Sequence, residues 1–70
     1  MGENIRNRVF EIRQKMGLTQ EGLASSVGVT RQTIIALEKG NYVPSVLLAL
    51  KLARCFKEPV EKIFSYHYEK

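Results

Sequence analysis

Apolar residues group along this chain into short blocks with helical spacing, each bounded by a capping residue or a helix breaker. Val9, Phe10 and Ile12 supply the apolar contacts of a first helix over about residues 8–16, which Asn7 can cap and Gly17 stops. Thr19 caps a second helix over about residues 20–27, where Leu23, Ala24 and Val27 share one face by the i, i+3, i+4 rule. Gly28 can take the left-handed conformation that ends it. Thr30 then caps a third helix over about residues 31–39, with Ile34 and Leu37 facing inward. Residues 40–44 form a loop, in which Pro44 biases Val43 towards an extended conformation. Ser45 caps a fourth helix over about residues 46–56, whose expected core stripe is Val46, Ala49, Leu50, Ala53 and Phe56, widened by Leu47, Leu48 and Leu52. Pro59 suits the opening of a short fifth helix running to about Phe64. From Phe64 to Tyr68, aromatic residues alternate with smaller or polar ones, a period of two that predicts a strand. The nearest segment for it to pair with is residues 4–6, ahead of the first helix.

Length and composition narrow the picture. Seventy residues make room for one domain, residues 1–70, with a small core. A hydrophobic fraction of 44% is enough to fold without disulfides or metal, and dimerisation would bury more apolar surface. Cys55 is the only cysteine and lies in an apolar stretch, so it reads as a packed thiol rather than a nucleophile or zinc ligand. No apolar run approaches the roughly 18 residues of a membrane span, and no signal peptide opens the chain. Met1-Gly2 has the form of an acylation start, but Arg6 stands where that motif wants Ser or Thr. A cytoplasmic protein is expected. With one His, no Asp and no clustered nucleophile and base, the chain does not read as an enzyme, and no cofactor, metal or small-molecule substrate is expected. His67 sits in the aromatic tail as a structural or solvated residue. The net charge of +4 favours a polyanionic partner.

The chemistry concentrates in residues 19–39, which read as two capped helices joined by a tight glycine turn, the second with polar side chains at its start. That layout can push one helix into the major groove of double-stranded DNA. Arg31 and Gln32 occupy the first turn after Thr30, and Ile35 and Ala36 continue the same outward face. Arginine can bind guanine O6 and N7 with two hydrogen bonds and glutamine adenine N6 and N7, while small apolar groups touch the thymine methyl. Thr19 and Gln20 are candidates for phosphate contact, because helix N-termini offer free amides and a favourable dipole. Thr33, Lys39 and the loop residue Asn41 join them. Thr19 and Thr30 serve as caps with or without DNA, and Lys39 complements the helix dipole in either case. Arg13 and Glu38 lie near the ends of the first and third helices, beside apolar stripes, which predicts a partly buried ion pair. Phosphate would repel Glu38.

Residues 7–64 resemble the Cro/C1-type, or Xre, helix-turn-helix family. The matching residues are Leu18-Thr19-Gln20-Glu21, Leu23-Ala24, Val27 through Ile34, Leu37-Glu38-Lys39-Gly40, Pro44-Ser45, Ala49 through Ala53, and Ile63-Phe64. The short form of the chain is similar to the small stand-alone dimeric repressors of that family. The resemblance implies an all-α, five-helix, lambda-repressor-like fold that binds a near-palindromic operator as a homodimer. It also implies base reading from Arg31, Gln32 and Ala36, phosphate contacts from Gln20 and the loop after Lys39, and an Arg13–Glu38 bridge. Gly22 stands where the family usually has Glu, which removes a capping-box partner for Thr19 and costs about 1 kcal/mol of helix propensity.

For the homodimer, the expected interface is the fifth helix with the nearby end of the fourth, Val60 and Phe64 facing the partner while Ile63 points inward. A sequence-specific repressor is thus the leading expectation. An antitoxin that binds DNA beside a toxin and a protein-interaction module on the same fold are the alternatives. The second would require the third helix to lack its polar start, and Arg31-Gln32 supply one.

Overall fold

The computed structural model describes residues 2–69, so Met1 and the acylation reading that begins on it lie outside the described residues. Among these residues the chain forms β1 (Gly2–Asn7), α1 (Val9–Lys15), α2 (Gln20–Val27), α3 (Arg31–Glu38), α4 (Val46–Phe56), α5 (Val60–Ile63) and β2 (Phe64–Glu69). Side-chain caps set three of these helix starts. Thr19, Thr30 and Ser45 all have extended backbones and accept the amide hydrogen three residues on, from Gly22, Thr33 and Leu48. At α1 the N-cap position falls on Arg8 rather than Asn7, and Asn7 acts from two positions ahead of the helix, where its Oδ1 accepts from the Val9 amide at 3.0 Å. Its Nδ2 donates to the Leu37 carbonyl at 2.9 Å, a long-range tie between the start of α1 and the last turn of α3.

The helix ends are equally specific. Gly28 has φ +73°, where its amide reaches back to Ala24 and Ser25 while the Val29 amide donates to the Ala24 carbonyl at 3.0 Å. That tight stop lets a link of only three residues, 28–30, join α2 to α3. At the end of α4 the same left-handed position falls on Lys57, at φ +58°, and the Glu58 amide closes the turn on the Ala53 carbonyl. A side chain in this region is strained where glycine is not, so Lys57→Gly is expected to raise stability by about 0.5–1 kcal/mol. Urea unfolding measures it; no gain would mean the turn carries no such strain.

The core is a cluster of Val9, Ile12, Leu23, Ala24, Val27, Ile34, Leu37, Leu48, Leu52, Phe56 and Ile63. Every helix contributes to it, each fully buried aliphatic side chain stabilising by about 1.5–3 kcal/mol. The expected stripe on α4 is corrected here. Leu48, Leu52 and Phe56 are its buried residues, whereas Val46 and Leu50 are 76% and 54% exposed. Ala49 and Ala53 are half-buried. Only Lys51 and Arg54 interrupt the apolar run of this helix, so periodicity leaves its rotation open, and docking on α2 and α5 decides it. Phe10 is also exposed rather than packed in the core.

The termini meet in a two-stranded antiparallel sheet in which Asn4, Ile5 and Arg6 pair with His67, Tyr66 and Ser65. β2 is the strand expected from the alternating tail. The Arg8 amide donates to the Ile63 carbonyl at 2.8 Å, so the sheet and α1 are joined to the end of α5.

Candidate nucleic-acid interface

Two caps and one glycine turn fix the relation of α2 to α3, and that relation builds the surface. On α3, Ile34 and Leu37 are fully buried, which turns residues 31, 32, 35, 36 and 39 outward by helical spacing. Arg31, Gln32 and Lys39 are exposed, and Ile35 and Ala36 are half-buried. The expected reading face is therefore accessible along the whole helix, roughly 12 Å at 1.5 Å per residue.

The N-terminal end of this face adjoins α2. Arg31 lines one shallow groove with Arg13, Thr19, Gln20 and Glu21. Of the sequence-derived phosphate candidates, Thr19 and Gln20 thus sit beside the base-reading candidate Arg31. The Thr19 hydroxyl accepts the Gly22 amide at 2.8 Å, and a Cβ at Gly22 would lie 3.0 Å from that oxygen. Glycine lets this cap close tightly. Glu21 had no role in the sequence reading, yet it also lines the groove, and its negative charge lowers the positive potential there.

Lys39 and Asn41 lie at the opposite end of α3. The Asn41 amide donates to the Ala36 carbonyl at 3.0 Å, so this residue has its side chain to offer a phosphate but not its backbone. Thr33 is half-buried, and its hydroxyl lies 3.1 Å from the Thr30 hydroxyl within the cap.

Behind the groove Arg13 and Glu38 meet. Arg13 Nε donates to Glu38 Oε2 at 2.6 Å and Nη2 to Oε1 at 3.3 Å, with side chains only 8% and 7% exposed. Arg13 Nη1 donates to the Leu18 carbonyl at 2.8 Å, and the guanidinium carbon stands 5.2 Å from the centre of the Phe10 ring. The pair binds α1 to α3 and to the segment leading into α2. Gln20 Nε2 also donates to Glu38 Oε1, at 3.1 Å. Sequence reasoning missed this bond, which spans 18 residues and has no local signal.

The residues assigned to the dimer interface lie elsewhere. Val60 and Phe64 are half-buried, and Phe64 packs in part against the core, while Ile63 is buried as expected. The larger exposed apolar residues on α4 are Val46, Leu47 and Leu50, in its first half rather than at the end near α5. Among the described residues no helix is long and apolar enough to cross a membrane, and no His, Cys, Asp and Glu group could hold a metal ion.

Comparison with known proteins places this geometry in a family. A helix-turn-helix family model matches residues 9–63. The chain is 52% identical over 60 residues to the uncharacterized HTH-type transcriptional regulator YgzD of Bacillus subtilis, covering 86% of this chain and 91% of that one. It is 30% identical over 59 residues to the cryptic phage CTXphi transcriptional repressor RstR of Vibrio cholerae, covering 84% of this chain and 53% of that one. Among solved structures, the restriction-modification controller protein C.AhdI from Aeromonas hydrophila matches with a TM-score of 0.74 and 33% identity, covering 79% of this chain and 83% of that chain. With its capped α2–turn–α3 unit and outward polar face, the chain belongs to the Cro/C1-type helix-turn-helix family of DNA-binding transcriptional regulators, which are not enzymes.

Proposed function

We propose that this protein is a cytoplasmic, sequence-specific repressor that binds a near-palindromic operator as a homodimer, with α3 of each protomer in the major groove. The exposed first turn of α3 carries this reading, since Arg31 and Gln32 stand at the position from which a recognition helix reaches base edges. In it Arg31, Gln32, Ile35 and Ala36 contact bases, and Thr19, Gln20, Lys39 and the Asn41 side chain contact phosphates. Thr33 reaches phosphate only by loosening its bond to Thr30. The repressor role draws support from the likeness to RstR, a protein named as a repressor. Lys39→Ala is expected to weaken binding to all sequences alike and to lower the salt slope by about 1 per half-site. Titrations of one duplex over a range of salt test it, and an unchanged slope would remove Lys39 from the phosphate contacts.

The homodimer draws support from apolar surface that one chain leaves uncovered. Val46 and Leu50 are four residues apart and share the side of α4 opposite its buried stripe, and Val60 and Phe64 stay partly exposed. A two-fold axis through such a surface would set two recognition helices about one turn of DNA apart, roughly 34 Å. Wild-type protein is expected to sediment at about twice its 8.0 kDa chain mass at micromolar concentration. Leu50→Asp and Val60→Asp should each shift it to the monomer and abolish specific binding. A wild-type monomer that holds a single half-site tightly would refute the dimer.

A further inference from the structure

Glu38 is an unusual neighbour for a DNA-binding groove. Its carboxylate would repel phosphate if it were free, but its oxygens are engaged. Oε2 accepts from Arg13 Nε, and Oε1 accepts from both Arg13 Nη2 and Gln20 Nε2. The Arg13 fork offsets its charge, and the side chain is 7% exposed. Glu38 is therefore no contact for DNA, yet it touches a residue at the mouth of the groove.

The consequence for Gln20 is chemical. A side-chain amide has two nearly equal faces, a donor nitrogen and an acceptor oxygen, and a solvated glutamine presents either one. A carboxylate only accepts, so the bond from Gln20 Nε2 to Glu38 requires the nitrogen to face inward on that side. One amide hydrogen is used in that bond. The second remains as a donor, on a half-buried residue that lines the groove with Thr19 and Arg31. Phosphate oxygens accept hydrogen bonds, so a nitrogen fixed in place with one N–H left over gives the DNA backbone a donor of set direction.

We propose that Glu38, held by Arg13, is a positioning residue for DNA binding: it orients the Gln20 amide so that its remaining N–H meets a phosphate of the duplex. This rests on the DNA-binding reading above and deepens it. The ion pair then has a second role beyond joining α1 to α3, since it sets a phosphate contact that neither charged partner makes itself.

The test uses a duplex bound by the wild-type protein, in which a neutral methylphosphonate replaces each phosphate in turn. In wild type, replacing the phosphate met by Gln20 should lower affinity about tenfold, the size expected for a hydrogen bond to a charged group. Gln20→Met should make that position silent while leaving the Lys39 position sensitive. Arg13→Met with Glu38→Met removes both charges together and keeps apolar volume, and it should silence the same position while a thermal melt shows a folded protein. Glu38→Gln, nearly isosteric, is the second variant should that pair fail to fold, and a drop to about threefold sensitivity is expected there. Full wild-type sensitivity in whichever of these Glu38 variants folds would limit Glu38 to a structural role and overturn the proposal. So would a Gln20→Met profile identical to wild type. Wild-type protein that binds no duplex would overturn the DNA-binding reading along with it, whereas binding with a flat profile at this one position overturns the positioning alone.

Discussion

Arg13→Ala is expected to destabilise the protein by about 3–5 kcal/mol, the usual cost of removing one partner of a buried ion pair. The substitution strands the Glu38 carboxylate, whose side chain is only 7% exposed with Arg13 in place, and leaves it the bond from Gln20. It also removes the donor to the Leu18 carbonyl and the cation over Phe10. Native domains are stable by only about 5–15 kcal/mol, and a chain of this length lies towards the lower end. At about 4–8 °C per kcal/mol for a domain of this size, the melting temperature should fall by roughly 12 °C or more. Replacing both partners by methionine should recover much of the loss, because neither charge is then stranded. Thermal melts of Arg13→Met, Glu38→Met and the double methionine variant form a cycle. Equal losses that simply add would show no coupling and reject the pair as a structural unit.

Arg31→Ala should do the opposite, leaving stability nearly unchanged and weakening DNA binding. Arg31 is exposed and makes no hydrogen bond or ion pair through its side chain among the described residues, so its removal leaves no buried group unsatisfied. A base contact through both guanidinium nitrogens discriminates by about 1–3 kcal/mol. In a two-fold dimer the loss counts twice, so affinity for the preferred duplex should drop by roughly 30-fold to 20,000-fold. Binding to unrelated sequence should fall far less, through the loss of one positive charge. Fluorescence anisotropy on a preferred and a scrambled duplex separates the two effects. An equal loss on both would make Arg31 a phosphate contact instead.

What the sequence made legible is the chemistry that acts within three or four residues. Thr19, Thr30 and Ser45 were readable as caps because the hydroxyl meets an amide three positions on, and these caps locate α2, α3 and α4 at their first residues. Once Thr30 fixes where α3 begins and Ile34 and Leu37 fix which side is buried, the outward position of Arg31, Gln32 and Lys39 follows. The strand after Phe64 was readable from its alternation, but not its pairing with residues 2–7, since a period of two names no partner. The rotation of α4 was not, because residues apolar on every side carry no preferred face until tertiary packing chooses Leu48, Leu52 and Phe56. Lys57 in the left-handed region gives no local sign either, since glycine is the residue that marks such a turn. The bond from Gln20 to Glu38 depends on three segments packing together, which no spacing rule encodes.

Selection of binding sites from random duplexes, run in parallel with wild type and Arg31→Ala, tests most directly whether the first turn of α3 reads bases. The wild-type protein should enrich a near-palindromic site with half-sites about one helical turn apart, roughly 34 Å centre to centre. The Arg31→Ala pool should keep that spacing and lose its preference at one symmetric position in each half-site. An identical motif from both proteins, or no enriched motif from wild type, would contradict the assignment of α3 as the recognition helix.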